Sequence, residues 1–333
     1  MDLQLNFIDV LLTVASLVIL TLPGFILAKT KIFGKEADKA LSGLVLYGCQ
    51  PMLMFVGFQK TNFNSSIAIN MLIVAGIALF VHLAMIGIMY LIIRNKDNDA
   101  KKNCVRFASV FSNCGYMGVP FLTSLFHGSA YEGEILIYGS IVIAIFNLLN
   151  WSLGVYMMTG DKKDMSITKA LVNPTIIGIF VGLILFLTVQ TPLVDIAVQG
   201  SVLDQILEKF MSACNFLANM VTPLAMIVIG VRLANVKVKA LFLDKWAYVS
   251  CGCKLVLMSL IAILAVAFLP ISLTVKYAIF FLLSMPSATA TVLFAVRFGG
   301  DGDSASVFVL LSTILSIITI PHMYLLFRVL AGV

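Results

Sequence analysis

Asn113-Cys114-Gly115-Tyr116-Met117-Gly118-Val119-Pro120 lies inside an apolar run, 107–126, about long enough to cross a bilayer. A proline and two glycines there predict a broken helix. Pro120 has no N–H, and its ring clashes with the carbonyl four residues back. Gly115 and Gly118 allow backbone angles that other residues avoid. In lipid each unpaired backbone group costs several kcal/mol, so a break is tolerated only where protein or a watery cavity surrounds it. A second interruption follows at Ser284-Met285-Pro286-Ser287-Ala288-Thr289. Two interrupted segments at corresponding places in two halves mark a transporter binding site.

The rest of the 333 residues fits a membrane reading. Hydrophobic residues make up 61% and charged residues 11%, and the mean hydropathy is +1.06. The chain reads as an all-α polytopic membrane protein of ten transmembrane helices, near 7–28, 40–58, 67–93, 104–126, 134–158, 171–189, 205–233, 243–269, 274–297 and 304–330. The start, Met1 to Asn6, has no basic region, so the first run reads as a retained helix.

Loops after odd-numbered spans carry most of the Lys and Arg. They are Lys29, Lys31, Lys35 and Lys39, then Arg94, Lys96, Lys101, Lys102 and Arg106, then Lys162, Lys163 and Lys169, then Arg232, Lys237, Lys239 and Lys245, and finally Arg297. The other side has Lys60, Lys209, Lys276 and Arg328. Positive loops stay cytoplasmic, which puts both termini outside. The linker 160–169 divides the chain into 1–160 and 161–333, each with five spans. An odd number per half requires opposite insertion. A shift of 172 residues superposes Pro51 on Pro223, His82 on Lys254, Phe126 on Phe298, Ser140 on Ser312 and 113–120 on 285–292. Two inverted five-helix repeats follow from that constant offset.

The net charge of +6 is spread over short loops, so nucleic acid is not a partner. The six cysteines lie in or beside apolar segments and read as packing residues; no metal and no cofactor is expected. Half-helices starting near Pro120 and Pro286 would point N–H groups at mid-membrane, where a helix end carries about half a positive charge. Such ends take carboxylate or phosphate groups. Ser284 is placed to cap beside Pro286, and Asn113, Ser287, Thr289 and Thr291 add side-chain hydrogen bonds. No Asp or Glu sits mid-span, which favours a small organic anion over a cation as substrate. His82 and Lys254 are buried ionisable candidates for coupling or for substrate charge. Tyr138 and Asn147 are candidate cavity residues, and Arg297 reads as an anchor at the end of the ninth span, near Asp301 and Asp303. The sequence has no nucleophile–base set, paired carboxylates or Walker-type loop, so it is not read as an enzyme or a pump.

Asn113 to Pro120, Asn173-Pro174, Pro223-Leu224-Ala225 and the Pro286 segment ending Phe294-Ala295-Val296-Arg297-Phe298 resemble the auxin efflux carrier family over essentially the whole chain. That family includes plant auxin exporters and many bacterial carriers. The resemblance implies broken, crossing fourth and ninth helices. It also implies a scaffold of the first, second, sixth and seventh helices beside a moving transport domain. Homodimers in the cell membrane and organic acid substrates, such as malate, malonate or an auxin-like acid, are implied as well. By motif, Asn113 matches a substrate-contacting asparagine, with Cys114 and Gly118 in the same element. Pro120 and Pro286 match helix-breaking prolines, and Tyr138 falls where plant members have a polar contact. The chain departs at Ser112 and Thr291, where plant members have prolines, and at Ser66 and Asn70, where they have Asp and Lys. These departures bear on substrate and coupling, with H⁺ or Na⁺ both open as coupling ion. A sodium-coupled bile-acid-type symporter and a non-transporting receptor for a small anion are the alternative readings.

Overall fold

The computed structural model describes residues 5–34, 36–95, 97–235 and 243–332. Lys35, Lys96, Lys237 and Lys239, counted above for orientation, lie outside the described residues, as do Met1 to Gln4.

The described chain is helical, and 8 helical stretches are long and apolar enough to cross a membrane. They are α1 (Phe7–Lys29), α2 (Ala37–Phe58), α3 (Ser65–Ile92), α6 (Glu132–Thr159), α7 (Pro174–Asp195), α8 (Val202–Asn235), α9 (Lys245–Ala267) and α12 (Gly302–Ala331). Two further helical runs are interrupted. One is α4 (Ala100–Val110) followed by a π-helical turn (Cys114–Gly118) and α5 (Val119–Leu125). The other is α10 (Leu273–Ser284) followed by α11 (Ala290–Arg297). The chain is therefore an integral membrane protein of apolar helices.

Most helix starts are capped by the residue types the sequence supplies. Asn64, Asp99, Asn173, Ser201, Ser272 and Asp301 each accept a hydrogen bond from a backbone N–H in the first turn that follows. Each such cap satisfies a donor that the helix itself cannot. Thr289, which precedes α11, makes no such bond.

The helices pack in two groups. In the first, α8 lies on α1 and α7 lies on α2. Glycines bring these helices together, three of them against partner backbone and Gly182 against a ring. A Cβ added at Gly24 would sit 2.1 Å from the Ile227 carbonyl oxygen, and one at Gly230 would sit 2.0 Å from that of Thr21. A Cβ at Gly178 would meet the Pro51 carbonyl oxygen at 2.3 Å, and one at Gly182 the Phe58 ring at 2.6 Å. Lipid tails are as apolar as Leu, so close backbone approach, rather than water exclusion, drives such packing. The second group gathers α3, α6, α9 and α12 around the two interrupted runs. Its centre is aromatic: Phe121, Tyr277, Phe280, Phe281, Tyr324 and Phe327 form one set of ring contacts.

Overpacking a tight contact costs about 1–3 kcal/mol, and more where backbone must move. Gly178→Val and Gly230→Val should each lower the melting temperature of the detergent-purified protein by roughly 5 °C or more. Gly76→Val, on α3 with nothing within 4 Å, should leave it unchanged. Equal behaviour of the three variants would remove the glycine contacts from this account.

Candidate functional site: the paired helix breaks and their cavity

The two interruptions meet. Ser112 and Ser287 form an antiparallel bridge. The Asn113 N–H donates to the Pro286 carbonyl at 2.7 Å, and the Ala288 N–H donates to the Phe111 carbonyl at 2.8 Å. Each break thus supplies the other with the partners that its own helix has lost. The Ser287 N–H is satisfied from a third element, donating to Ser312 Oγ on α12 at 3.1 Å.

A half-helix does start beside Pro120, as the sequence suggests, but the break itself lies upstream of it. The first break falls at Phe111 to Asn113, upstream of Pro120, which is the second residue of α5. What Pro120 imposes is the π-helical turn before it: the wider turn makes room for a ring that cannot follow an ordinary helix. Pro286 lies within the second break, four residues before α11 begins. Ser284 is the last residue of α10, and its hydroxyl has no partner, so it caps nothing. Gly115 and Gly118 are absent from the glycines with positive φ; they serve close approach. A Cβ at Gly115 would sit 2.8 Å from the Gln50 amide nitrogen, and one at Gly118 would sit 2.6 Å from Leu282.

The expected free N–H groups are partly used. Those of Met117 and Gly118 go to the Asn113 carbonyl, and those of Thr291 and Val292 go to Ala288 and Thr289. What remains open is side-chain chemistry. Asn113 Nδ2, Ser287 Oγ and Thr291 Oγ1 are buried without a hydrogen-bond partner, as is His82 Nε2. An unpaired buried polar group costs about 1–3 kcal/mol. Asn113, Ser287 and Thr291 bring three such groups to the paired breaks, where a ligand could satisfy them.

Asn113 and Thr289 open onto two cavities on either side of α11. The larger, about 540 Å³, is also lined by Gln50, Cys114, Asn147, Asn150, Asn173, Trp151, Arg232 and Arg297. The smaller, about 370 Å³, includes Asp38, Arg232, Asn235, Ser306 and Thr313. Asn113, Asn147, Asn150 and Asn173 bring four side-chain amides to the larger wall. Asn173 Nδ2 donates to Asn147 Oδ1 at 3.1 Å, while Asn150 Oδ1 is unpartnered. Two guanidiniums supply positive charge. Arg232 donates to Asp38 at 2.7 Å and to Ser42 at 3.0 Å. Arg297 lies over the Trp151 ring, 5.4 Å from its centroid. Sequence reasoning placed Arg297 as an anchor beside Asp301 and Asp303; in the structure it stacks on aromatics at the cavity wall.

Of the candidates, Asn113, Cys114, Asn147 and Thr289 line the larger cavity. Gly118, Pro120, Pro286, Ser287 and Thr291 are buried and line neither cavity; only Pro286 and Ser287 lie within a break. Tyr138 lies apart: it is buried, receives a hydrogen bond from Asn70 and donates to Glu134 at 2.8 Å. His82 and Lys254 are both fully buried. His82 Nδ1 donates to the Ala78 carbonyl at 2.7 Å, and Lys254 reaches the bridge itself. Gln50 and Arg232 were missed, because nothing in their own sequence neighbourhood distinguishes them from packing or loop residues. Among the described residues no group of three His, Cys, Asp or Glu is placed to hold a metal.

The paired breaks, membrane helices and lined cavity define a membrane transport protein. The family model described as "Membrane transport protein" matches residues 9–324, and the chain belongs to this family, that of the auxin efflux carriers. It is similar to an uncharacterized transporter of Methanothermobacter thermautotrophicus, 25% identical over 318 residues, covering 93% of this chain and 95% of that protein.

In a cysteine-free background, Asn147→Cys and Thr289→Cys should react with a small thiol reagent in detergent. Ser287→Cys and Thr291→Cys, fully buried positions, should react at least about tenfold more slowly, since access limits thiol reactivity. Equal rates at all four would contradict the cavity boundaries.

Proposed function

We propose that the protein is a secondary transporter that moves a small organic anion, a mono- or dicarboxylate such as malate, malonate or an auxin-like acid, by alternating access. The observation that carries this reading is the buried, unpartnered Asn113 amide at the paired breaks, facing a cavity with Arg232 and Arg297 on its wall. An amide donor and fixed guanidiniums suit a carboxylate. Among the described residues no carboxylate side chain lines the larger cavity except Asp38, which Arg232 already neutralises.

The same reading takes the chain as ten spans, in two inverted five-helix repeats over 1–160 and 161–333. The repeat offset is supported by like geometry at matched positions. Ser140 and Ser312 each donate to the carbonyl three residues back. Phe126 and Phe298 end their half-helices with nearly the same dihedrals. In this reading α1, α2, α7 and α8 form a rigid scaffold on glycine contacts, and the group around the breaks moves against it. A homodimer in the cell membrane, with both termini outside, completes it. The cavity then faces the cytoplasm, because Lys39, Arg232 and Arg297 belong to the basic side.

A ligand that binds only the folded state raises the melting temperature by mass action. Malate, malonate or indole-acetic acid should raise that of the purified protein, and Asn113→Ala should abolish the shift without lowering the melting temperature of the free protein. A shift retained in Asn113→Ala would remove Asn113 from the site; a shift by cations alone would overturn the anion reading.

A further inference from the structure

Among the described residues, Lys254 is a lysine without exposed surface, and it belongs to neither cavity wall. It extends from α9 into the place where the two breaks meet. Its ammonium donates to Ser112 Oγ at 2.5 Å and to the Leu283 carbonyl at 2.9 Å. Ser112 Oγ in turn donates to the same Leu283 carbonyl at 3.0 Å. Ser112 is half of the antiparallel bridge. Leu283 is in the last turn of α10, where carbonyls lack helical partners and carry partial negative charge. One side chain from a third helix therefore ties the first break to the end of α10, just before the second. Among the described residues no carboxylate pairs with it. Its charge is met by neutral oxygens, one hydroxyl and one carbonyl, the donor types that hold hard metal cations.

We propose that Lys254 is a built-in cation, and that its ammonium fills the oxygen-lined position at the crossing where a coupling metal cation would otherwise sit. The crossing is then held together without a mobile metal ion. The fixed positive charge also favours an anion at Asn113, the residue after the Ser112 that it grips. This rests on the crossing being the anion site, but its test reads folding stability against cation identity, which requires no transport.

The test compares melting temperatures of the purified full chain in sodium, potassium and choline chloride at equal ionic strength. The wild-type protein should melt at the same temperature in all three. Lys254→Ala, purified with propylammonium chloride, replaces the lost chain beyond Cβ by a free amine of the same length. Without the amine its melting temperature should fall by roughly 5–10 °C, as expected for a vacated buried charge position. Propylammonium, but not choline, should restore at least half of that. Lys254→Met fills the volume without the charge; it should fall likewise and not be rescued. Any of three results overturns the proposal: a sodium-specific rise in the wild type, a Lys254→Met protein as stable as wild type, or no rescue of Lys254→Ala by the amine. If neither variant is recovered folded, the wild-type comparison decides: indifference to the cation supports the proposal and a sodium-specific rise refutes it.

Discussion

Everything in this molecule depends on two short pieces of backbone, Phe111 to Asn113 and Pro286 to Ala288, pairing with each other inside the membrane. Water is absent there, so a broken helix must find its lost hydrogen bonds in protein. Two breaks placed opposite each other solve the problem reciprocally. Neither is stable alone, which ties together two stretches about 175 residues apart in the chain. The surrounding helices follow from this. α12 supplies Ser312 to the bridge, α9 supplies Lys254, and α3 places His82 against Phe111.

The pairing also creates the site. It uses up backbone groups but leaves the Asn113 amide and the Ser287 and Thr291 hydroxyls without partners. A protein that had only to close its breaks would fill those valences. Most other helix starts are capped by Asn, Asp or Ser side chains, whereas Thr289, which precedes α11, lies at the cavity and caps nothing. The arrangement spends stability where a ligand can return it. Around it, glycine-mediated contacts hold α8 on α1 and α7 on α2 as tightly as backbones can approach.

The membrane helices were legible because their signal is local: long uncharged runs and capping residues at their starts. The existence of both interruptions was legible for the same reason, through Pro120 with Gly115 and Gly118, and through Pro286. Their exact positions were not. Pro120 can be accommodated by a π-helical turn as well as by a break, and only the partner backbone at Pro286 decides where the chain opens. His82 and Lys254 stood out as ionisable residues within apolar spans, although Lys254 could equally have snorkelled toward an interface. The hydrogen-bond partners of Lys254 come from distant helices and could not be read. Arg297 and Arg232 looked like ordinary basic ends of spans; their place on the cavity wall depends on how α11 and α8 are oriented. Tyr138 shows the converse. A cavity role was expected of its hydroxyl, and its bonds to Asn70 and Glu134 come from side chains that no local pattern announces.

A cross-link tests the pairing most directly. Ser112 and Ser287 are the non-hydrogen-bonded pair of the bridge, since the bonds run between their neighbours. In that arrangement the Cα atoms lie about 4.5 Å apart, within reach of a disulfide. In a chain freed of its six native cysteines, Ser112→Cys with Ser287→Cys should oxidise in the membrane to a single intramolecular species in high yield. The control pair Ser112→Cys with Thr291→Cys should not. Failure of the first pair to cross-link in a folded, membrane-inserted protein would contradict the central claim that the two breaks meet.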